Sequence, residues 1–89
     1  MLRAVPNNPT QRCGAQVLFA ANMRRIRLSK SLTQEEVAFR ASLHTNYISS
    51  VERAERNISI CNIAKIALAL DVSMPEMLSP LPAADSKSA

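Results

Sequence analysis

Four small polar side chains, Thr45, Asn46, Ser49 and Ser50, fall at helical spacing on one outward arc, opposite the apolar pair Ile48 and Val51. A purely structural helix would usually carry Lys, Glu or Ala on that arc. Short polar groups do different chemistry. An Asn amide can pair bidentately with adenine, and a Thr hydroxyl can meet a base edge while its methyl touches thymine. The bland alternative, that these residues only favour capping and solubility, weighs most on Ser50. Upstream, Gln34 sits in the first turn of a preceding helix, where its amide and free backbone N–H groups can hold a phosphate oxygen. A solvated surface glutamine is the lesser alternative. Tyr47 could set its hydroxyl on a phosphate, or pack its ring on the preceding helix and leave the hydroxyl wet. Arg53 and Arg56 follow in a connector, where solvated charge is the plain alternative.

Two short helices joined by a tight turn must present these groups. Thr33 followed three residues later by Glu36 is a capping box that starts a helix over about Gln34 to Ala41, with Val37, Ala38 and Ala41 on its inner face. Ser42 and Leu43 make the turn, and His44 or Thr45 opens the next helix. That layout lets one helix lie in a major groove of DNA. Before the pair, a helix from about Cys13 to Ser29 carries a stripe of Val17, Leu18, Ala21, Met23, Ile26 and Leu28. After it, Ser59 caps a fourth helix with inner positions Ile60, Ile63, Ala64, Ile66, Ala67 and Leu70. Ser73-Met74-Pro75-Glu76 repeats the capping-box spacing and starts a fifth. The expectation is all-α: a compact five-helix bundle over 13–81 with a central helix-turn-helix. Residues 1–12 read as a flexible arm and 82–89 as a disordered tail.

The chain has 89 residues and one domain's worth of material, with no Trp, one Tyr and two Phe, so its core must be aliphatic. A domain this small buries only about 60% of its unfolded surface. Pairing with a second copy is a natural remedy, and Met74, Met77, Leu78 and Leu81, with outward residues of the fourth helix, are the candidate dimer surface, ordinary core packing being the alternative. The net charge is +4, but residues 14–81 carry eight bases against six acids, only +2. Charge alone is therefore weak evidence for a nucleic-acid partner, and placement says more: Arg24, Arg25, Arg27 and Lys30 crowd the end of the first helix. Two cysteines and one histidine exclude a disulfide framework and a four-ligand zinc site. Cys61 falls in an apolar run and reads as buried. No apolar run approaches ~18 residues, and no signal-peptide core is present, which points to the cytoplasm. A lone His and no Gly-rich phosphate loop leave no nucleophile–base set, so an enzyme is the least favoured class. No cofactor, metal or small-molecule ligand is indicated.

Leu32-Thr33-Gln34-Glu35-Glu36-Val37-Ala38, Tyr47-Ile48-Ser49, Glu52-Arg53, Arg56-Asn57 and Ile63 through Ser73 together resemble the phage-repressor-like (Xre/Cro) helix-turn-helix regulators. The resemblance covers about Met23 to Leu78. Within that family, the short chain and the Asn-Tyr-Ile-Ser…Glu-Arg…Arg-Asn-Ile-Ser block look most like restriction–modification controller proteins. The resemblance implies a lambda-repressor-like fold, Gln34 on a phosphate, and Thr45, Asn46, Ser49 and Ser50 as base readers. It also implies Arg56 on a base, Asn57 and Arg53 on phosphates, and Arg27 with Glu52 as an ion pair joining the first and third helices. Four departures stand out. Ser42 and Ala54 occupy places where the family often has Gly, and His44 stands where Ser, Thr or Asp is a common cap. Thr45 also replaces the Arg or Gln of many relatives.

The leading expectation is therefore a homodimeric transcription regulator binding double-stranded DNA at a roughly palindromic site, plausible as a controller of a restriction–modification system. A prophage-type repressor is one alternative. An antitoxin-like interaction module with secondary DNA binding is another, although the two chain ends lack the hydrophobic anchors such a role needs.

Overall fold

A computed structural model of the protein describes residues 13–82; the arm at 1–12 and the tail beyond 82 lie outside the described residues. Five helices follow in order: α1 (Gly14–Ser29), α2 (Gln34–Ala41), α3 (Thr45–Glu52), α4 (Ile60–Leu70) and α5 (Met74–Met77), with no strand among the described residues. The starts are set by side chains. Thr33 Oγ1 accepts the Glu36 N–H at 3.0 Å while the Glu36 carboxylate accepts the Thr33 N–H at 2.7 Å. Ser59 Oγ accepts the Asn62 N–H, and the Glu76 carboxylate accepts the Ser73 N–H. At α3 the cap is an imidazole: His44 Nδ1 accepts the Asn46 N–H at 3.1 Å, which requires that nitrogen to be unprotonated.

The helix ends share a second device. Ser31, Ser42, Ala54 and Asp71 all adopt left-handed backbone, φ 57° to 60°. Each is followed by a backbone N–H that closes on a carbonyl of the preceding helix: Leu32 to Arg27, Leu43 to Ala38, Glu55 to Ser50 and Val72 to Ala67. Leu32, Leu43 and Val72 then pack on the core. Glycine is the residue that adopts this conformation without a Cβ clash, yet the chain's one glycine, Gly14, is elsewhere. Ser42 is exposed, so Ser42→Gly relieves strain and loses little else; it is expected to raise stability by about 0.5–1 kcal/mol. Ala54 is buried, and losing its methyl costs about 0.8 kcal/mol, so Ala54→Gly should come out near neutral. Urea midpoints at unchanged slope measure both.

Phe19, Met23, Ile26, Val37, Ala38, Ala41, Ile48, Val51, Ile66, Ala67, Leu70 and Met77 form the core. The inner faces of α2 and α3 are as the spacing predicts. Those of α1 and α4 are rotated: Val17 and Leu28 are about half exposed, Ile60 is largely exposed and Cys61 is exposed, while Phe19, Ala20 and Ala69 go inside. α4 is apolar on nearly every side, and in α1 apolar residues are spread around the helix with no single stripe, so docking against their neighbours selects the face. Cys61 is thus not the buried small hydrophobe its apolar run suggests. One buried polar residue ties the ends of the fold together. Asn22 on α1 donates to the Met77 carbonyl at 3.0 Å and the Ser79 carbonyl at 2.8 Å, fixing the close of α5.

The two capping carboxylates make the fold acid-sensitive. The Thr33 N–H holds Glu36, and the Ser73 N–H holds Glu76, below the ordinary carboxylate value of 4.5. A folded-state pKa below the unfolded one contributes stability that is present above the unfolded value and lost as pH falls through the folded one. Thermal midpoints should therefore be level above about pH 5 and decline below about pH 4.5. Glu36→Gln and Glu76→Gln together should flatten that decline.

Candidate nucleic-acid interface

The pose of α3 is fixed from beneath by a three-residue polar cluster. Arg27 on α1 donates from Nε to Glu52 Oε2 at 2.6 Å and from Nη2 to Glu52 Oε1 at 2.9 Å, a two-pronged ion pair to the last residue of α3. Its Nη1 donates to the Leu32 carbonyl at 2.9 Å. Both side chains are almost wholly buried. The bond to Glu52, outweighing the cost of burial, raises the Arg27 guanidinium further above its usual range, so it stays charged. Gln34 completes the cluster, its Nε2 donating to Glu52 Oε1 at 3.0 Å. The first turn of α2 and the end of α3 are thereby held together. Gln34 keeps one amide proton and its carbonyl for other partners.

Of the four residues expected on the outward arc, three are on it. Asn46 is exposed in the first turn of α3, Thr45 is half-buried beside it, and Ser49 is half-buried one turn on, its hydroxyl accepting from Arg53 Nη1. Ser50 is not outward: it is 6% exposed, donates to the Tyr47 carbonyl at 2.8 Å and accepts Arg56 Nε at 2.9 Å. Both its hydrogen-bonding directions are used inside the protein, which corrects its assignment as a base reader. A serine is small enough to enter the seam between α3 and the following connector, and the two bonds offset its burial.

Beside that arc the connector turns back. The Arg56 guanidinium lies 5.4 Å from the centre of the Tyr47 ring. The Tyr47 hydroxyl accepts Asn62 Nδ2 at 3.0 Å, leaving its own proton to donate, and the ring packs on the core margin. From α1, Gln16 Nε2 donates to the Arg56 carbonyl at 3.1 Å and the Ala54 carbonyl at 3.4 Å. Arg53 is exposed, paired with Glu55 at 3.1 Å, a bond that raises its pKa, and Asn57 is exposed on the connector. Thr45, Asn46, Ser49, Tyr47, Arg53, Arg56 and Asn57 thus belong to α3 and the connector that follows it, with Gln34 at the near end of α2. Gln16 and Asn62 belong to the same assembly and were invisible in the sequence, because they meet their partners across 40 and 15 residues.

The expected dimer surface is only partly available. Met77 is 0% exposed and belongs to the core, because the four-residue α5 turns it inward under Asn22; it is withdrawn from that surface. Met74 is half-buried against the core. Leu78 and Leu81 are partly exposed, and on α4 Leu68 is 81% exposed on the same helical face as Cys61 and Ala64. Phe39 on α2 is 86% exposed, and nothing among the described residues covers it.

The helix-turn-helix family model HTH_3 matches residues 23–77. The control protein C.BamHI of Bacillus amyloliquefaciens is 48% identical over 64 residues, covering 71% of this chain and 79% of that protein. The crystal structure of the restriction–modification controller C.AhdI of Aeromonas hydrophila superposes with a TM-score of 0.68 at 42% identity, over 70% of this chain and 94% of that one. The controller C.Esp1396I, solved as a tetramer on its natural 35-base-pair operator, superposes at 0.67 and 31% identity, over 75% of this chain and 99% of that one. The chain therefore belongs to the helix-turn-helix family of transcription regulators, among the relatives of restriction–modification controller proteins.

Proposed function

We propose that the protein acts as a homodimer on a two-fold symmetric duplex DNA site, placing α3 of each subunit in the major groove of one half-site. The observation that carries this reading is the buried Arg27–Glu52–Gln34 cluster beneath a polar α3 face: the helix is locked in pose while Asn46, Thr45 and Ser49 stay outward. Asn46 and Thr45 read base edges, with Ser49 and Arg56 beside them. Gln34, Tyr47, Arg53 and Asn57 hold the flanking phosphates and set the register. Half-sites lie about one helical turn apart. The partly exposed Leu78 and Leu81, with Leu68, form the contact between subunits.

The relatives carry the reading one step further, to a controller of restriction–modification genes that regulates its own promoter. Dimerisation by mass action makes the active species rise steeply with concentration, a delay switch that needs no small ligand. The site of action is cytoplasmic DNA, and no helix among the described residues is long and apolar enough to cross a membrane. The role assigns no catalytic step. Sedimentation equilibrium tests the assembly: the expected species has twice the 9.8 kDa chain mass, and Leu68→Glu shifts it to monomer. A wild-type protein that stays monomeric at high concentration, yet forms a tight complex with an unrelated chain, would favour the interaction-module reading.

A further inference from the structure

The groups around Arg56 are more than its surroundings. An arginine can present two hydrogen-bonding forks: a side-on pair, Nε with Nη2, or an end-on pair, Nη1 with Nη2. Here Nε is spent on Ser50 at 2.9 Å, and among the described residues neither Nη1 nor Nη2 has a hydrogen-bond partner. The guanidinium plane is supported by the Tyr47 ring, the Tyr47 tip is fixed by Asn62, and the backbone at Arg56 is fixed by Gln16. A long, exposed side chain that would otherwise sample many rotamers is restrained at Nε and against a ring, which leaves its end-on fork as the pair without a partner among the described residues.

We propose that Ser50 and Asn62 are positioning residues that preset Arg56 as an end-on fork for the O6 and N7 of a guanine in the major groove. The inference rests on the DNA-binding reading above and adds to it a base identity and two residues that touch no DNA. The chemistry is specific. Guanine is the base that shows two acceptors side by side in the major groove, matching two parallel N–H donors. Ser50 makes the match possible by occupying the nitrogen that would otherwise permit a side-on approach. Its own hydroxyl proton is committed to the Tyr47 carbonyl, so its lone pair points to Arg56 and the arrangement has one polarity. Asn62 acts one residue further out. By donating to the Tyr47 oxygen it leaves the hydroxyl proton for another acceptor and anchors the ring that lies against the guanidinium. Because that ordering is made on folding, little rotamer entropy remains to be lost when the fork meets its base.

The test is a quantitative specificity profile, measured by competition over single-base variants of the protein's selected site, for the wild type, Arg56→Ala, Ser50→Ala, Asn62→Ala and Ser50→Ala/Arg56→Ala. Arg56→Ala should erase a guanine preference of about five- to a hundred-fold at one position in each half-site. Ser50→Ala should reduce the preference at that same position by about three- to ten-fold, the scale of one hydrogen bond, and leave the other positions as they were. Asn62→Ala should weaken the same position to a smaller extent. The double variant should match Arg56→Ala alone. A general packing role for Ser50 would move all positions together, and thermal midpoints report any such loss of fold. Loss of affinity equal for every sequence, with the salt dependence reduced by about one counterion in Arg56→Ala, would assign Arg56 to a phosphate and overturn the inference while leaving the DNA-binding reading intact. Additive losses in the double variant would overturn the positioning role of Ser50. A wild type with no sequence preference at all would overturn the reading and the inference together.

Discussion

Glu52→Ala is expected to destabilise the protein by about 3–5 kcal/mol, the usual consequence of removing one member of a buried, two-pronged ion pair. The carboxylate is almost fully buried and accepts from Arg27 twice and from Gln34 once. Its loss strands a guanidinium that cannot discharge, with only the Leu32 carbonyl left to it. Against a total stability of roughly 5–15 kcal/mol for a domain, that is a large share. A thermal midpoint lowered by more than about 12 °C is the corresponding readout for a chain of this size. The pair is expected to matter for pose more than for net stability. A double replacement by apolar residues of similar volume, Arg27→Met with Glu52→Leu, should recover much of the loss, since a buried ion pair repays its desolvation only in part. The same double variant should still bind DNA less selectively, because Gln34 and the end of α3 lose their common partner. Full selectivity in a stable double variant would show that packing alone sets the pose of α3.

Asn46→Ala is the second large effect, on binding rather than on folding. Asn46 is exposed, and its side chain makes none of the contacts that hold α3 in place; its engagement is through the backbone, the N–H capped by His44. Truncation should therefore leave folding stability within about 0.5 kcal/mol of wild type, as for ordinary surface changes. Binding to the specific site should weaken by about 1–3 kcal/mol, the worth of one bidentate base contact. Binding to unrelated DNA, which comes from phosphates and falls with salt, should barely change. Equal losses on both kinds of DNA would remove Asn46 from base reading and place it with Gln34 and Asn57 on the backbone.

The start of α2 was legible because it is written in side chains, Thr33 and Glu36 capping each other's backbone N–H; at its other end the Leu43 N–H closes on the Ala38 carbonyl. The Arg27–Glu52 pair was legible through family resemblance and is formed as expected. What escaped depends on how helices dock. In α1, Val17, Leu18, Phe19, Ala20 and Ala21 are consecutive apolar residues, so no periodicity distinguishes the inner Phe19 and Ala20 from the outer Val17. The same degeneracy in α4 hid the exposure of Ile60, Cys61 and Leu68. Ser50 was misplaced for a different reason. A 3.6-residue wheel puts it near the outward arc, but the connector after Ala54 folds back over it and supplies Arg56 as a partner. Met77 belongs to a four-residue helix too short for periodicity to orient, and Asn22 settles it. The departures from glycine were informative in the opposite direction: Ser42 and Ala54 do adopt left-handed backbone, so the conformation is kept although the residue that suits it is absent.

The central claim is that a locked α3 reads sequence as half of a symmetric pair. Selection of purified protein against random duplex DNA at about 150 mM salt, where phosphate contacts alone give weak binding, tests it most directly. The account predicts recovery of a two-fold symmetric motif with half-sites about one helical turn apart, found again upstream of the protein's own gene. Recovery of no motif, with only weak and salt-labile binding, would contradict it.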